Sequence, residues 1–320
     1  MNSQSDIDNK QKQRLNYLIS ILIKEVNYKT KIPNDLKGKH YIYKCLCNLR
    51  SPKKVSNEFI KVEEEYLQER LKSFHLINIS DINSLSITHP FLLKKSKIKN
   101  ISNICLWKGD ITKLQIDAIV NAGNSGGLGC FSPGHSCIDN QIHTSAGVRL
   151  RLECFEYMTK INGKLKDGKA MITNAYNLPC KKVIQTVGPC LERGKQPTKK
   201  QKNTLGDCYT NSLKLLLDNK LYSIAFPAIS TGVFGFPKKT AAKIALERID
   251  AFISGLNETE AAKIKVVLSV YDDANLKIYE SVIKEWKLKY IISIFKNTNK
   301  LFIQFQIKLN NNMIYLEQFI

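Results

Sequence analysis

Two thiols and one imidazole lie within eight consecutive positions of the chain. The stretch at 127–143 reads GLGCFSPGHSCIDNQIH and contains Cys130, His135 and Cys137. Thiolate sulfur and imidazole nitrogen are ligands that Zn²⁺ prefers, and three protein ligands leave one position open for water or substrate, as in catalytic zinc sites. On these residues alone, a zinc site and a loop with two free thiols and a surface histidine are equally good interpretations.

Two polar residues follow the cysteines in a segment where we expect a helix to begin. Asp139 lies just after Cys137 and can either cap that helix or act on a ligand beside a metal. His143 lies one turn further into the helix. We therefore expect His143 to point away from the loop and to make structural hydrogen bonds rather than bind a metal.

A second candidate site lies where small residues follow an apolar segment. The sequence ISTGVFGF at 229–236 places Ser230, Thr231 and Gly232 between the segment YSIAFPAI and the next expected helix. Successive backbone amides in such a turn can face one anion, as in phosphate sites at helix N-termini. This signal is weak by itself, because glycine-rich turns between strands and helices are common.

A third feature combines KGDIT at 108–112 with AIVNAGNS at 118–125. Asp110 could accept a hydrogen bond from an adenine amine, and Asn121 and Asn124 at a strand end could bond to ribose hydroxyls. Asp and Asn also favour turns, and taken one by one these residues are better explained as turn formers.

From residue 100 onward, short apolar segments alternate with longer helical patterns. This alternation predicts a sheet covered by helices on both faces, an α/β/α sandwich. Ligands in such folds collect beyond the carboxyl ends of the strands, so we expect the loops after Ala122 and Ile229 to form the site. The predicted strands are 104–107, 118–122, 170–174, 183–187, 224–229 and 265–271, and the predicted helices are about 139–160, 201–219, 238–254 and 273–287.

The first hundred residues differ from the rest because they show mainly helical patterns, at 15–26, at about 35–48 and from about residue 56. We expect residues 1–14 to be disordered, 15–99 to form a helical N-terminal extension and 100–285 to form the main domain. Residues 286–320 are a tail without an assigned role, although apolar and mostly polar residues alternate there as in a strand.

Taken together and in order, the motifs GDIT, DAIVNAGNS, CIDNQIHTSAG, VIQTVGP and AFPAISTGVFGFP resemble the macrodomain family. Its members bind ADP-ribose and often remove it from proteins. GCFSPGHSCID is similar to the zinc-dependent branch of the family, which also carries a helical N-terminal extension. The resemblance covers roughly residues 15–285 and implies a three-layer α/β/α macrodomain with a central mixed sheet.

The same resemblance implies the activity and its cofactor. We expect a zinc-dependent hydrolase that removes mono-ADP-ribose from modified proteins and holds one Zn²⁺ per chain. The alternative from another functional class is a reader module that binds ADP-ribose without turnover. Relatives in this branch often work opposite a sirtuin-like ADP-ribosyltransferase, which suggests an ADP-ribosylated carrier protein as the substrate.

The resemblance also implies a role for each matching residue. It places Gln185 where a histidine is frequent and Gly123 where many relatives have alanine. The implied roles are adenine binding by Asp110, Ile111 and Tyr271, ribose binding by Asn121 and Asn124, diphosphate binding by Ser230, Thr231, Gly232, Val233 and Phe234, zinc binding by Cys130, His135 and Cys137, and catalysis by Asp139.

Composition excludes several other classes of protein. The net charge of +21 is spread along the whole chain, so it favours anionic ligands without forming the clustered basic surface or aromatic motif of a nucleic-acid-binding protein. Nine cysteines in 320 residues are too sparse for a disulfide-stapled secreted scaffold. The polar N-terminus does not resemble a signal peptide, and no apolar stretch is long enough for a membrane span. We therefore expect a soluble cytoplasmic protein.

Overall fold

The computed structural model describes residues 4–92, 100–192, 194–297, 305–309 and 312–316. No helix in these ranges is both long enough and apolar enough to span a membrane. The helices are α1 Gln4–Val26, α2 Leu36–Leu49, α3 Asn57–Lys72, α4 Leu85–Thr88, α5 Ile138–Ala146, α6 Val148–Lys160, α7 Lys199–Asp218, α8 Lys238–Ser254, α9 Glu258–Lys263 and α10 Asp273–Asn297. The strands are β1 Ile77–Asn78, β2 Ile104–Lys108, β3 Leu114–Gln115, β4 Ala118–Ala122, β5 Ala170–Asn174, β6 Lys182–Thr186, β7 Ser223–Phe226, β8 Lys265–Val270, β9 Phe305–Leu309 and β10 Asn312–Leu316.

Six strands form one mixed sheet in the order β2-β8-β7-β4-β6-β5. Neighbouring strands are parallel from β2 through β6, and only the edge strand β5 runs antiparallel, to β6. The parallel strands are almost continuously apolar because helices bury both of their faces. The carboxyl ends of five strands therefore lie along one edge of the sheet.

A hydrophobic core lies on each face of this sheet. One core contains Leu213 of α7, Ile249 of α8 and Ile283 of α10. The other contains Ile142 of α5 and Leu150 of α6. This arrangement confirms the predicted three-layer α/β/α fold with a mixed sheet.

Helices α1, α2 and α3 form a bundle that precedes the sheet. Their apolar faces share a third core, which also includes Val148 at the start of α6. Helix α1 begins at Gln4, whereas we expected residues 1–14 to be disordered and the helix to begin at residue 15. The first half of α1 is polar, and contacts with α3 stabilise it. Gln11 is buried and donates to the Tyr66 carbonyl, and Arg14 pairs with Glu65.

The single helix predicted over 139–160 is instead two helices, α5 and α6. They meet at Gly147, whose φ of 90° lies in the left-handed region that favours glycine. A side chain there would also collide with Glu63 of α3, since a Cβ would lie 2.5 Å from its Oε2. Glu63 accepts hydrogen bonds from the Val148 amide at the start of α6, at 3.1 and 3.2 Å. The extension thus caps the second helix.

The C-terminal segment continues the fold beyond residue 285. Helix α10 extends to Asn297, and β9 and β10 pair with each other as an antiparallel two-stranded sheet. The strand pattern expected within the tail at 286–320, where apolar residues recur at every second position from 301 to 309, is confirmed for Phe305–Leu309, and residues 301–304 lie outside the described residues.

Candidate active site

The predicted site residues gather at the carboxyl edge of the central sheet. Asp110 follows β2, Tyr271 follows β8 and the loop at 230–236 follows β7. Asn121 is the second-last residue of β4, and Asn124 lies just after that strand. Parallel neighbours bring these chain segments together although they are up to about 160 positions apart in sequence.

Asp139 is a buried carboxylate held by two asparagine side chains. Asn121 Nδ2 donates to Asp139 Oδ1 at 2.7 Å, and Asn124 Nδ2 lies 3.4 Å from Oδ2. Burial raises the pKa of Asp139 to about 6, while the Asn121 hydrogen bond and the charge of Arg151 act in the opposite direction. Asp139 does not cap α5, because Cys137 is the N-cap residue and its sulfur accepts from the Asn140 amide. The capping interpretation is therefore wrong.

Gln185 joins the same polar group from β6. Asn121 Nδ2 donates to Gln185 Oε1 at 2.6 Å, so both of its hydrogens are used. Gln185 Nε2 and Asn121 Oδ1 are buried and have no partner among the described residues. A Cβ on Gly123 would lie 3.7 to 4.0 Å from the side chains of Asn121, Gln185 and Asp139, so glycine leaves space beside this group.

The loop at 127–137, called the cysteine loop below, brings the three predicted metal ligands together. The ligand atoms of Cys130, His135 and Cys137 all lie within 4.8 Å of one another. Cys130 Sγ and His135 Nδ1 are 3.8 Å apart. Tetrahedral zinc with bonds of about 2.0 to 2.3 Å separates its ligands by roughly 3.5 to 3.8 Å. The residues fit a zinc ion after only a small contraction, and zinc binding stays a prediction.

The protonation of the Cys137 thiol depends on whether a metal is bound. Without a metal, burial raises its pKa to about 11, although the hydrogen bond from the Asn140 amide lowers it. A bound divalent cation outweighs that effect and deprotonates a thiol outright. The position at the N-terminus of α5 further favours the thiolate.

His143 does not have the surroundings that we expected. Neither ring nitrogen has a hydrogen-bond partner among the described residues, and Nε2 lies 3.5 Å from Asp139 Oδ1. The ring packs under the cysteine loop, since a Cβ on Gly129 would lie 3.0 Å from its Cδ2. Burial lowers the pKa of His143 to about 3, so this contact joins a neutral imidazole to the carboxylate. His143 thus faces the site, and our expectation that it points away and makes structural hydrogen bonds was wrong.

The loop at 230–234 presents free backbone amides. The amides of Gly232, Val233 and Phe234 have no acceptor in the described part of the chain. Ser230 adopts a φ of 63° and has a buried hydroxyl, and Thr231 bonds back to the Ala228 carbonyl through its own hydroxyl. Three unpaired amides in a turn suit an anion, as a diphosphate loop requires.

The remaining predicted residues form an open rim. Asp110 Oδ1 accepts from the amide and the hydroxyl of Thr112, and Oδ2 has no hydrogen-bond donor within the described ranges. Ile111 is buried beneath it. Val233 and Tyr271 are each 80% exposed, so their apolar surfaces are open to a flat ligand such as a nucleobase.

Sequence reasoning missed the groups that hold the cysteine loop in place. Asn140 Nδ2 donates to the carbonyls of Ser132 and His135 at 2.9 and 3.1 Å. Its position three residues after Cys137, one helical turn along α5, is a signal that could have identified it. Arg151 donates from Nε to the Leu128 carbonyl at 2.7 Å, a contact that no local motif indicates.

Comparison with known proteins gives consistent matches. Residues 120–245 match the Macro domain family. The chain is 40% identical over 271 residues to the protein-ADP-ribose hydrolase of Staphylococcus aureus strain MSSA476, covering 84% of this chain and 94% of the relative. It is 38% identical over 274 residues to the protein-ADP-ribose hydrolase of Treponema medium, covering 85% and 98%.

Solved structures agree with these sequence matches. The Oceanobacillus iheyensis macrodomain with MES bound has a TM-score of 0.51 and 35% identity, covering 62% of this chain and 97% of that chain. The Trypanosoma brucei macrodomain in complex with ADP-ribose has a TM-score of 0.56 and 27% identity, covering 75% and 94%.

Proposed function

The chain belongs to the macrodomain family, and on this premise we propose that it is a hydrolase that removes mono-ADP-ribose from modified proteins and uses one zinc ion held by Cys130, His135 and Cys137. The observation that carries the proposal is the position of a buried carboxylate, Asp139, two residues after the last of three convergent side chains that could bind a metal. The relatives named protein-ADP-ribose hydrolases support the activity, because they align over nearly their whole length.

The binding half of the proposal rests on the opposite end of the sheet edge. The unpaired amides of the 230–234 loop suit the diphosphate, and Asp110 Oδ2 can accept from the adenine amine. Exposed Tyr271 and Val233 can cover the adenine ring. The ADP-ribose bound by the trypanosomal macrodomain supports this choice of ligand.

The reaction adds water across the bond between C1 of the distal ribose and a side-chain oxygen of the modified protein. The water oxygen bonds to C1, the bond from C1 to the protein oxygen breaks, and one water proton ends on that oxygen. The second water proton stays on the new C1 hydroxyl. Asp139 orients the water and takes up the first proton as the water attacks, before that proton passes to the protein oxygen, because a carboxylate with a pKa of about 6 is mostly ionised at neutral pH and is still a usable base. Asn121 and Asn124 hold the carboxylate in place.

The cysteine loop adds the metal to this arrangement. Bound zinc would supply Lewis-acid stabilisation of a ribose hydroxyl or would lower the pKa of a bound water. An ADP-ribosylated carrier protein, modified by a sirtuin-like ADP-ribosyltransferase, is the substrate that the family resemblance suggests.

The test is single-turnover release of ADP-ribose from an automodified protein, with zinc content and ADP-ribose affinity measured in parallel. Wild-type protein should release ADP-ribose and contain about one zinc. Cys137→Ala should no longer bind zinc and should no longer release ADP-ribose from the modified protein. It should retain most of its affinity for free ADP-ribose. The matched control is Cys190→Ala, since Cys190 is exposed and lies outside the cluster.

Two results would contradict the proposal in different ways. Wild-type protein that holds zinc and binds ADP-ribose but releases none from Asp-, Glu- or Ser-linked substrates would be a reader. Full release by a zinc-free wild-type protein would retain the hydrolase and remove the zinc.

A further inference from the structure

The guanidinium of Arg151 lies between the cysteine loop and the N-terminal extension. Nη1 lies 2.6 to 3.0 Å from the carbonyl oxygens of Cys47, Asn48 and Arg50, at the C-terminal end of α2. Nε donates to the Leu128 carbonyl in the cysteine loop. A cation at the carbonyl end of a helix is favourable, and the planar fork of arginine can serve two chain segments at once.

The same side chain reaches the part of the loop that carries the first ligand. Arg151 Nη2 lies 3.5 Å from the carbonyl oxygen of Cys130, and the Phe131 ring lies 4.3 Å from the guanidinium carbon. Arg151 is only 4% exposed, so these contacts are shielded from water. Its position on α6 is fixed by the core of the main domain, which contains Leu150 and Cys154.

Asn48 of the extension holds the middle of the loop. Its side chain is fully buried, and Oδ1 accepts from the Gly134 amide at 3.2 Å. Gly134 has a φ of 68°, and a Cβ there would lie 2.6 Å from the Tyr41 hydroxyl of α2. The backbone between the ligands Cys130 and His135 is thus packed directly against the extension.

These contacts matter because the cysteine loop has no regular structure of its own. Besides the turn hydrogen bonds of His135 and Gly127, its backbone is held by the Asn124 side chain, which donates to the Gly129 carbonyl, and by side chains that come from α2, α5 and α6. The positions of three metal ligands therefore depend on groups outside the loop, much as second-shell partners orient ligands in other metal sites.

We propose that Arg151 is a positioning residue for the zinc ligands and that, together with Asn48, it makes the N-terminal extension part of the metal site. This inference rests on the proposed function. It assigns the extension a role in metal affinity that is separate from the stability it adds as a packed bundle.

The experiment measures the zinc dissociation constant by chelator competition, together with the melting temperature of the zinc-free protein. Arg151→Lys retains the charge but removes the fork that joins both segments, and Asn48→Ala removes the acceptor for Gly134. We expect each to weaken zinc binding about 10- to 100-fold, as loss of outer-shell partners does in other zinc sites. Affinity for free ADP-ribose should change little.

Two control variants disturb the same interface without touching the loop. Arg149 pairs with Glu64 of α3, and Gln68 donates to the Asn177 carbonyl at 3.3 Å. Arg149→Ala and Gln68→Ala should lower the melting temperature while zinc affinity stays at the wild-type value.

The outcomes separate the inference from the proposed function. Wild-type zinc affinity in a folded Arg151→Lys or Asn48→Ala protein would overturn the inference and leave the hydrolase intact. Equal losses of zinc affinity in test and control variants would also overturn it, because the extension would then act only through stability. A wild-type protein that binds no zinc would contradict both. Should Arg151→Lys fail to fold, Asn48→Ala decides, since it removes one hydrogen bond only.

Discussion

The two ends of the candidate site are built in different ways. The end proposed for adenine and diphosphate consists of short turns that follow β2, β7 and β8, and Val233 and Tyr271 in these turns are largely exposed. At the end proposed for the distal ribose, Asp139 is 4% exposed and its partner Asn121 is fully buried. Backbone amides dominate the first end, whereas side-chain hydrogen bonds between distant elements dominate the second.

This difference suggests a division of work. An exposed turn can bind a ligand with several modest contacts, so loss of one contact weakens binding without abolishing it. A buried carboxylate beside a metal must hold one geometry, because its polar surroundings are fixed in advance and replace water. We therefore expect substitutions at the ribose end to affect turnover and those at the adenine end to affect affinity.

The strongest test of this division is Asp139→Asn. The amide has nearly the same shape but cannot accept a proton, so single-turnover release should fall about 10²- to 10⁴-fold. Zinc content and ADP-ribose affinity should change little, because Asp139 is neither a ligand nor a diphosphate contact. Rapid quench of the release reaction measures the rate.

A matched control for this variant is Asp250→Asn on α8. Burial raises the pKa of Asp250 to about 6 as well, but this carboxyl lies on α8 and interacts with Asn100, which precedes β2, at the edge of the sheet opposite the site. Equal release rates for wild type and Asp139→Asn would show that release does not need this carboxylate, and the expected division between turnover and binding would then be wrong.

The second prediction concerns Glu63, through which the extension supports the ribose end. Burial raises its pKa to about 7 from an ordinary value near 4.5, despite hydrogen bonds from the Tyr43 hydroxyl and the Val148 amide. Between these values the native state binds more protons than the unfolded state. The stability from this group is therefore fully present below about pH 4.5 and is lost as pH rises through about 7.

The Glu63→Gln variant should lack this pH dependence, so the difference in stability between variant and wild type should change with pH. Glutamine retains an acceptor oxygen without the charge, so its free energy of unfolding relative to wild type should rise from pH 5 to pH 8, by up to about 3 kcal/mol. Urea denaturation at several pH values measures it. Cys47, Tyr43, Arg50 and Arg149 also face Glu63, but they are present in both proteins, so the difference isolates this carboxyl.

The half-exposed neighbour Glu64 provides the control for that series. It pairs with Arg149 at the surface of the same interface, so Glu64→Gln removes a partly exposed ion pair and should change the free energy of unfolding by no more than about 1 kcal/mol. A difference between Glu63→Gln and wild type that stays constant from pH 5 to pH 8 would mean that Glu63 is ionised in the native protein across that range, contrary to the effect of its burial.

Features that depend on local sequence patterns could be predicted, and features that depend on contacts between distant residues could not. The sheet, its helices and the turns at Asp110 and Ser230 depend on local patterns, and these patterns placed them correctly. The cluster of Cys130, His135 and Cys137 was also recognisable because its members lie within one loop. The break at Gly147 was missed, since it depends on Glu63, which is more than eighty residues away in sequence.

The contacts that hold the cysteine loop could not be predicted for a related reason. Arg151 bonds to backbone carbonyls, which carry no signature of residue type, and these carbonyls belong to segments that are up to 104 positions away. The four-residue spacing of Asp139 and His143 places both on one face of α5, but it does not show that this face meets the cysteine loop. Only the packing of α5 between the sheet and the loop decides that.

The smallest expected effect is at the adenine end, in Asp110→Asn. This variant retains Oδ1 as the acceptor for the Thr112 amide, so the turn should persist, but it replaces the free carboxylate oxygen by a donor. One hydrogen bond to a charged group contributes about 1.5 kcal/mol, so ADP-ribose affinity measured by calorimetry should fall about tenfold. Zinc content should not change. Thr112→Val is the control, because it removes the hydroxyl that bonds to Asp110 Oδ1 and leaves Oδ2 untouched. If Asp110→Asn slowed release from saturating modified protein more than it weakened binding, the proposed adenine end would take part in turnover, and the two ends of the candidate site would not be separable.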